Sequence, residues 1–570
     1  MSIHRAIVAG SIVVLLAASR TLAQQEDHRH AAAQQGTGAT LGTVVFPNSG
    51  SSAAQKSFLR GVALLHSFEY TEAAESFREA QRVDRSFALP YWLEAFTNSH
   101  ILWSEDDPAA ARAVLAKLGP TPAARLAEAK TDRERAYGAA IEAFYAETTL
   151  DVRSRAFADS MRHLTARYPK DLEAAAFASL AIQIADPRGV NREEAIALAE
   201  RVVRERPNHP GALHYLIHAT DAPAYAARGL AAARAYAKVA PESEHAQHMP
   251  SHIFLQLGLW DEAVASDERA WRASRDWVKR RGASAADLDF HDLQWLEYVY
   301  LQQGRYALAR SIMDTARAVL AGVDLSEHPD AQYVIATLAF QYGAETGDWI
   351  PMLETGTVPS RGTPTSRRAF MFAMTELYQR GYVAAAKGDT ISGSQVAKRF
   401  RDTAPPNAPT YGAVGAREIE AAIATKRGNY GRAIELLQEA ATMEDKFQFV
   451  GPPIMLVAHE LLGAALIEAH QPAEAEAAYE QALKLAPNRS AALFGLARAR
   501  AARGDSAGAA EAARRLLANW HAADADLAAL AEAQRIAALG PRRMALPRPR
   551  EKLAHIRPDA LTQLRDRAAS

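Results

Sequence analysis

Small and apolar residues recur along most of the chain at a fixed interval of 34. In LVAHELLGAALIEAHQPAEAEAAYEQALKLAP (456–487), Leu462, Gly463 and Leu466 mark a first helix, Ala475, Tyr479 and Ala482 a second, and Pro487 the exit. Counted from Leu456, these are positions 7, 8, 11, 20, 24, 27 and 32. A repeated pair of helices keeps small residues where the two helices touch, so the pattern predicts a helix-turn-helix unit. The next copy follows without slippage, since Ala475 plus 34 is Ala509. Near the start, Gly61, Leu64, Ala73, Phe77 and Ala80 fall at positions 8, 11, 20, 24 and 27 of a copy beginning at Ala54.

The middle of the chain keeps the same register. Pro207 and Pro241 are 34 apart and act as consecutive exits, and Ala263 is position 20 of a copy starting at Glu244. GRY (304–306), GDW (347–349) and GNY (428–430) recur, like GLW (258–260), just before a second helix. The reading is all-α, with about ten helix-turn-helix repeats, some carrying insertions, over 54–535. N-terminal repeats occupy 54–190, a histidine-rich centre 191–325, and C-terminal repeats 326–535. Segment 104–137, with SEDDP and GPTP, breaks the pattern. The chain resembles the tetratricopeptide repeat family. That resemblance implies an α-solenoid whose repeats stack on their neighbours into a superhelix. It also implies that positions 2, 5, 9 and 12 of each first helix face a concave groove.

The histidines change character on this numbering. His214 and His218 are positions 5 and 9 of the copy at Pro210; His245, His248 and His252 are positions 2, 5 and 9 of the copy at Glu244; His291 is position 2 of the copy at Phe290. Six of these nine positions are histidine, the others being Gly211, Gln294 and Tyr298, against 18 histidines in 570 residues overall. Such an excess marks a site. Asp221 adds a carboxylate at position 12. Residues four apart on a helix have Cβ atoms roughly 5–6 Å apart, and adjacent helices pack roughly 8–10 Å apart, so imidazoles from neighbouring repeats can share an ion. With no cysteine, the nitrogen and oxygen donors suit Zn, Cu, Ni or Fe.

Pro210 suits the first turn of its helix, whereas Pro250 falls inside the next and should kink it. Register therefore leaves open which histidines meet: one ion on His214, His218, His248 and His252, or a second completed by His245 and His291. His459 sits beside the buried seam, and His66, His163, His470 and His521 stand isolated. Trp92, Phe96, Tyr378 and Tyr382, at positions 5 and 9 of their copies, are expected as exposed groove aromatics, with Gln294 and Tyr298 beside the histidines.

Composition and the chain ends bound the function. Residues 1–23 have a basic start, an apolar run and a small-residue ending, and read as a cleaved export signal to the periplasm or beyond the cell. No later segment offers the roughly 18 consecutive apolar residues of a membrane span. Residues 24–53 read as a flexible leader, in which Asp27, His28 and His30 could weakly catch metal ions. Residues 536–570 form a basic, Pro-rich tail, with eight Lys/Arg against three Asp/Glu from Gly540 onward. A net charge of −1 argues against a general nucleic-acid binder. Hydrophobic residues at 49% with only 8% aromatic indicate small-residue packing of close-set helices. The strings HYLIHA, HMPSHIFLQLG, VVFPNSG, LLHSFEY and LPYWLEA resemble a set of bacterial exported tetratricopeptide-repeat proteins, a likeness that implies fold and export and no particular activity.

Three functions fit. The chain is a scaffold binding a peptide or protein partner in its concave groove, with a histidine-rich metal site. Alternatively it is a hydrolytic or oxidative metalloenzyme with Asp221 as base or ligand, although no HExxH or nucleophile motif accompanies the cluster. Thirdly, it is a metal-free clamp of protonated histidines that grips anions near pH 6. The first is favoured because the whole chain supports it. The exported form should begin at or near Gln24 by mass spectrometry, and an exported protein retaining Met1 to Ala23 would overturn the signal reading.

Overall fold

The computed structural model describes residues 41–539 other than 104, 242, 325–327, 356–366, 404–409 and 448–450. The export signal, residues 24–40 of the leader, with Asp27, His28 and His30, and the tail from 540 lie outside the described residues.

Antiparallel helix pairs follow one another along the chain, each packed on the next, from Gln55–His66 with Tyr70–Val83 to Ser490–Ala502 with Ser506–Asn519; Ala528–Ala537 covers the last pair. The fold is an all-α solenoid of tetratricopeptide type. In the first repeat and in the repeat at 456–487 the paired helices approach closely at position 8. A Cβ on Gly61 would lie 2.6 Å from the Phe77 ring, and one on Gly463 would lie 2.7 Å from the Tyr479 ring. Any side chain there would push the ring out of the seam. The alanines at positions 20 and 27, including Ala73, Ala80, Ala475, Ala482 and Ala509, are fully buried.

Segment 104–137 is irregular for a local reason. The motifs that break the repeat are helix starts: Asp107 caps Pro108–Ala116, Thr121 caps Pro122–Ala127, and Thr131 with Glu134 forms a capping box on Asp132–Phe144. Just before it, Ser99–His100 pairs antiparallel with Glu105–Asp106, a short ladder that a purely helical reading does not include.

Three expectations need correction. Residues 41–53 are packed against the repeats and are no loose leader. Phe46 is buried, the Thr43 N–H donates to the Asn208 carbonyl at 2.9 Å, and the Val45 N–H donates to Glu173 at 3.2 Å. The repeats also touch well beyond their neighbours. Trp277 Nε1 donates to Glu72 at 2.7 Å, and Arg281 pairs with Glu75 at 2.6 Å. Farther along, Asn488 donates to the Gly258 carbonyl at 3.1 Å, and the Ser490 N–H donates to Gln302 at 2.9 Å.

The third correction concerns the groove aromatics. Trp92 and Phe96 lie in the core; Trp92 fills the space over Gly138, and its Nε1 donates to Glu142 at 3.0 Å. Tyr298, Tyr378 and Gln294 are buried and Tyr382 is half-buried. The chain covers part of its own groove. The irregular segment Gly451–Val457 crosses it, with the Leu456 N–H donating to the Tyr378 hydroxyl at 3.2 Å and Gly451 lying against Trp295, where a Cβ would be 2.5 Å from the ring. In Ala-rich seams large rings are drawn inward to fill volume.

Arg489 ties C-terminal repeats back to the middle of the chain. It is 4% exposed, pairs with Glu345 at 2.5 Å and Glu460 at 2.6 Å, and donates to the Tyr298 hydroxyl at 3.0 Å. Arg489→Ala leaves two carboxylates without their buried cation and should cost about 3–5 kcal/mol. Thermal unfolding checks this; a melting curve unchanged from wild type would show that the closure adds no stability.

Candidate metal centre

Helix Pro210–Thr220 begins with Pro210 at its first position and His209 as cap, whose Nδ1 accepts the Ala212 N–H at 3.1 Å. This start places His214 and His218 one turn apart. In the following repeat Pro250 divides the first helix into Glu244–His248 and Pro250–Leu257, joined at Met249. The kink expected from the sequence is present: Met249 keeps right-handed helical dihedrals, φ −51° and ψ −35°, while the two pieces part there. His245 and His248 ride on one piece, and His252 on the other. His291 sits in the first turn of Phe290–Gln302, where its N–H donates to the capping Asp289 at 2.9 Å.

This parting resolves the grouping. His214, His218 and His245 converge in one set, and His248, His252 and His291 in another; within each set the ligand atoms lie within 4.8 Å of one another. The four-histidine grouping of His214, His218, His248 and His252 is thus replaced by two triads. Each takes positions 5 and 9 of one repeat and position 2 of the next. The triads adjoin, with ring centroids 5.8 Å apart from His218 to His252 and 6.3 Å apart from His245 to His248.

In the first triad, His214 Nδ1 lies 2.7 Å from the His66 carbonyl. A carbonyl only accepts, so Nδ1 carries the proton and the other nitrogen, Nε2, is bare. That Nε2 faces His245 Nε2 at 3.0 Å. His218 Nε2 is buried with no hydrogen-bond partner. Phe68 lies against all three rings, at centroid distances of 4.3, 5.8 and 5.5 Å from His214, His218 and His245, and Trp103 meets His245 at 5.3 Å.

In the second triad, His248 and His252 bring their Nε2 atoms to 3.2 Å. The opposite nitrogens meet carboxylates: His252 Nδ1 lies 2.7 Å from Asp221, and His248 Nδ1 lies 3.1 Å from Asp267 and 3.4 Å from Asp292. Asp221 also accepts from Gln256 at 2.9 Å, and its place at Nδ1, across the ring from Nε2, suits it to orient His252. Trp295 packs on all three rings, at 4.8, 4.3 and 5.5 Å from His248, His252 and His291.

Electrostatics favour the neutral, ligating form of the rings. Burial lowers His214 to about 3, and His218, His245 and His248 well below the ordinary value, with neighbouring imidazoles adding to the effect. Burial likewise pushes Asp267 well up. Without an ion, this carboxyl and His248 share one proton; an ion on Nε2 would strengthen the Nδ1–H as a donor and hold Asp267 as a carboxylate. Glu244 and Asp292, which group with Asp289 close behind His248, are raised by burial and by neighbouring acids.

Sequence reasoning missed a third cluster. His66 is not isolated: its Nδ1 meets the Tyr215 hydroxyl at 2.9 Å and its Nε2 meets Glu173 at 3.0 Å, while His209 Nε2 reaches Glu173 at 3.2 Å. Burial would raise Glu173, but His209 and His66 outweigh it and hold the carboxylate low. Every ring nitrogen here has a protein partner, and His66 carries the carbonyl that orients His214. One signal was available: Glu173 is the only charged residue in LEAAAFASLAIQIA (172–185). Among the other histidines, His459 is buried against Asp445, whereas His163, His470 and His521 are exposed.

A family model for the tetratricopeptide repeat matches residues 457–489, within one residue of the start of the clearest repeat. With helix pairs stacked the same way along the chain, this supports the tetratricopeptide superfamily. Comparison with curated proteins found no match.

Because burial holds these rings below the ordinary value of 6.5, their contribution to stability is full above that pH and is lost as pH falls toward about 3. Glu69 and Glu444, raised by burial to about 7 and about 8, act oppositely, their contribution being lost as pH rises. A paired comparison separates the two. Between about pH 7.5 and 5, metal-free wild type should lose more melting temperature than metal-free His218→Asn. Parallel curves would show that His218 takes up no proton on unfolding.

Proposed function

We propose that this chain is an exported helical-repeat scaffold whose concave face holds a transition-metal centre of two three-histidine sites. One observation carries the reading: His214 Nε2 is bare and points at His245, while His218 Nε2 beside them is buried without a partner. An unsatisfied buried polar atom costs about 1–3 kcal/mol, and a bound ion removes that cost. Neutral imidazoles are the form that ligates. The all-nitrogen donor sets suit Zn, Cu, Ni or Fe, and the ordered partners behind His214, His248 and His252 are those that preformed sites use.

The solenoid supports a protein-interaction role, and a peptide or protein partner would meet the groove beyond the part covered by Gly451–Val457. No helix among the described residues is long and apolar enough to cross a membrane, in keeping with export into the periplasm or outside the cell. A second reading, a metal-dependent enzyme, draws support from ligand number. Three protein ligands leave a coordination position open, as in catalytic rather than structural zinc sites. A protonated anion clamp is the least suited, because burial opposes charging of these rings.

Untagged mature protein should carry about two equivalents of transition metal by elemental analysis. His218→Ala should lower affinity at one site by at least ~10–100-fold, the effect of losing an outer partner alone. His470→Ala, on an exposed turn, should change nothing, and chelation should lower the melting temperature. Protein that neither carries nor takes up Zn, Cu, Ni or Fe would overturn the proposal.

A further inference from the structure

The two triads follow one positional rule, yet their surroundings differ in charge and in access to water. Behind the second triad stand carboxylates, Asp221 on His252 and Asp267 with Asp292 on His248. In the first, His214 Nδ1 meets a neutral dipole, the His66 carbonyl. His291 of the second triad is exposed, whereas His214 is 0% and His245 7% exposed and the His218 Nε2 is enclosed.

Phe68 completes the enclosure. It follows the end of helix Gln55–His66 in the left-handed conformation, at φ 58°, held there as the Glu69 N–H donates to the Leu64 carbonyl at 3.0 Å. That conformation is strained for a residue with a side chain, and here it lays a phenyl ring against all three imidazoles.

We infer that the two sites sort ions by charge: the set of His248, His252 and His291 takes a divalent ion with an exchangeable position for a small donor ligand, and the set of His214, His218 and His245 takes copper(I). This rests on the metal-centre reading above. In the first triad the ligands are neutral and His214 leans on a carbonyl in place of a carboxylate, so a dication there would keep more of its charge out of water. The desolvation penalty of an ion rises steeply with charge. A monovalent ion content with three nitrogens and no water fits that enclosure, and copper(I) is the transition ion of that kind. In the second triad the carboxylates offset a double charge. Because they bond to Nδ1, they lie across the rings from the ion and leave the solvent side near His291 for water, azide or another small donor.

The test is a pair of titrations on untagged, metal-free protein, one with copper(I) against a chromophoric competitor without oxygen, the other with cobalt(II) followed by its visible bands. Each should reach one tight equivalent. His245→Asn should abolish the copper(I) equivalent and leave cobalt(II) binding in place; His291→Gln, at an exposed position, should do the reverse. Azide should shift the cobalt(II) bands. Asp221→Asn, close in shape and changing only a side chain that bonds His252 and Gln256, should weaken cobalt(II) by about 10–100-fold and leave copper(I) unchanged. Circular dichroism checks that each variant is folded. Binding of neither ion would sink the metal centre itself. Two equivalents of either ion, loss of both ions in one folded variant, or cobalt(II) bands indifferent to azide would overturn the sorting and leave the metal centre standing.

Discussion

The close packing of paired helices is the constraint on which the solenoid depends. Glycine makes room for it at Gly61 under Phe77 and Gly463 under Tyr479, and in the histidine-bearing repeats the same position holds the buried Ile217, Ser251 and Glu297. Only a fixed rotation brings position 2 of one first helix beside positions 5 and 9 of the one before it. The rule is met twice in succession, at His214, His218 and His245 and again at His248, His252 and His291. Histidines set across a repeat boundary use the geometry the fold already imposes, and side chains on helices are held more accurately than those on loops.

Energetically the centre is a strained region. Rings that would be partly charged in water are buried and neutral, one nitrogen lacks a partner, and Phe68 occupies a backbone region that favours glycine. Each feature lowers stability by an amount the surrounding seams must offset, and such residues persist where the neighbouring structure over-determines them. Around these rings the over-determination is visible. The His66 ring is pinned by Glu173 and Tyr215, Glu173 is pinned by His209 and the Val45 N–H, and Gly211 leaves room for the His66 ring, since a Cβ there would lie 2.3 Å from its Nδ1.

Much of this was legible in the sequence, and what was not has physical causes. Repeat period and the histidine stripe are properties of residue spacing, so the solenoid and all six candidate ligands could be read directly. The pairing of those ligands depends on Pro250, whose effect ranges from a bend to a break; here it ends one helix at His248 and begins another. Asp221 lies in register with the ligands, yet its distance from their ring nitrogens is set by the end of helix Pro210–Thr220, where the backbone leaves helical geometry. His66 and Glu173 belong to repeats far apart in sequence and meet only in the folded chain, 107 positions apart. The groove aromatics were misplaced because register gives the direction of a side chain and not what fills the space in front of it.

Long-range closure is the feature that repeat logic is least able to foresee, and it bears directly on the site. A solenoid held only by neighbouring contacts flexes along its length, while ligand sets need placement to within about 0.5 Å. Two sets of contacts flank the histidine repeats. On one side Trp277 and Arg281, at the end of the 22-residue helix Trp260–Arg281, grip Glu72 and Glu75 in the first repeat, beside the turn that carries Phe68. On the other, Asn488, Arg489 and Ser490 fasten a C-terminal repeat to Gly258, Tyr298 and Gln302, and Gly451 backs the Trp295 ring that packs on the second triad. The first repeat supplies the cover of one triad and the C-terminal repeats supply the wall of the other. The histidine cluster thus draws its side chains from three consecutive repeats and its enclosure from the first repeat and from C-terminal ones, so contacts far apart in sequence converge on it.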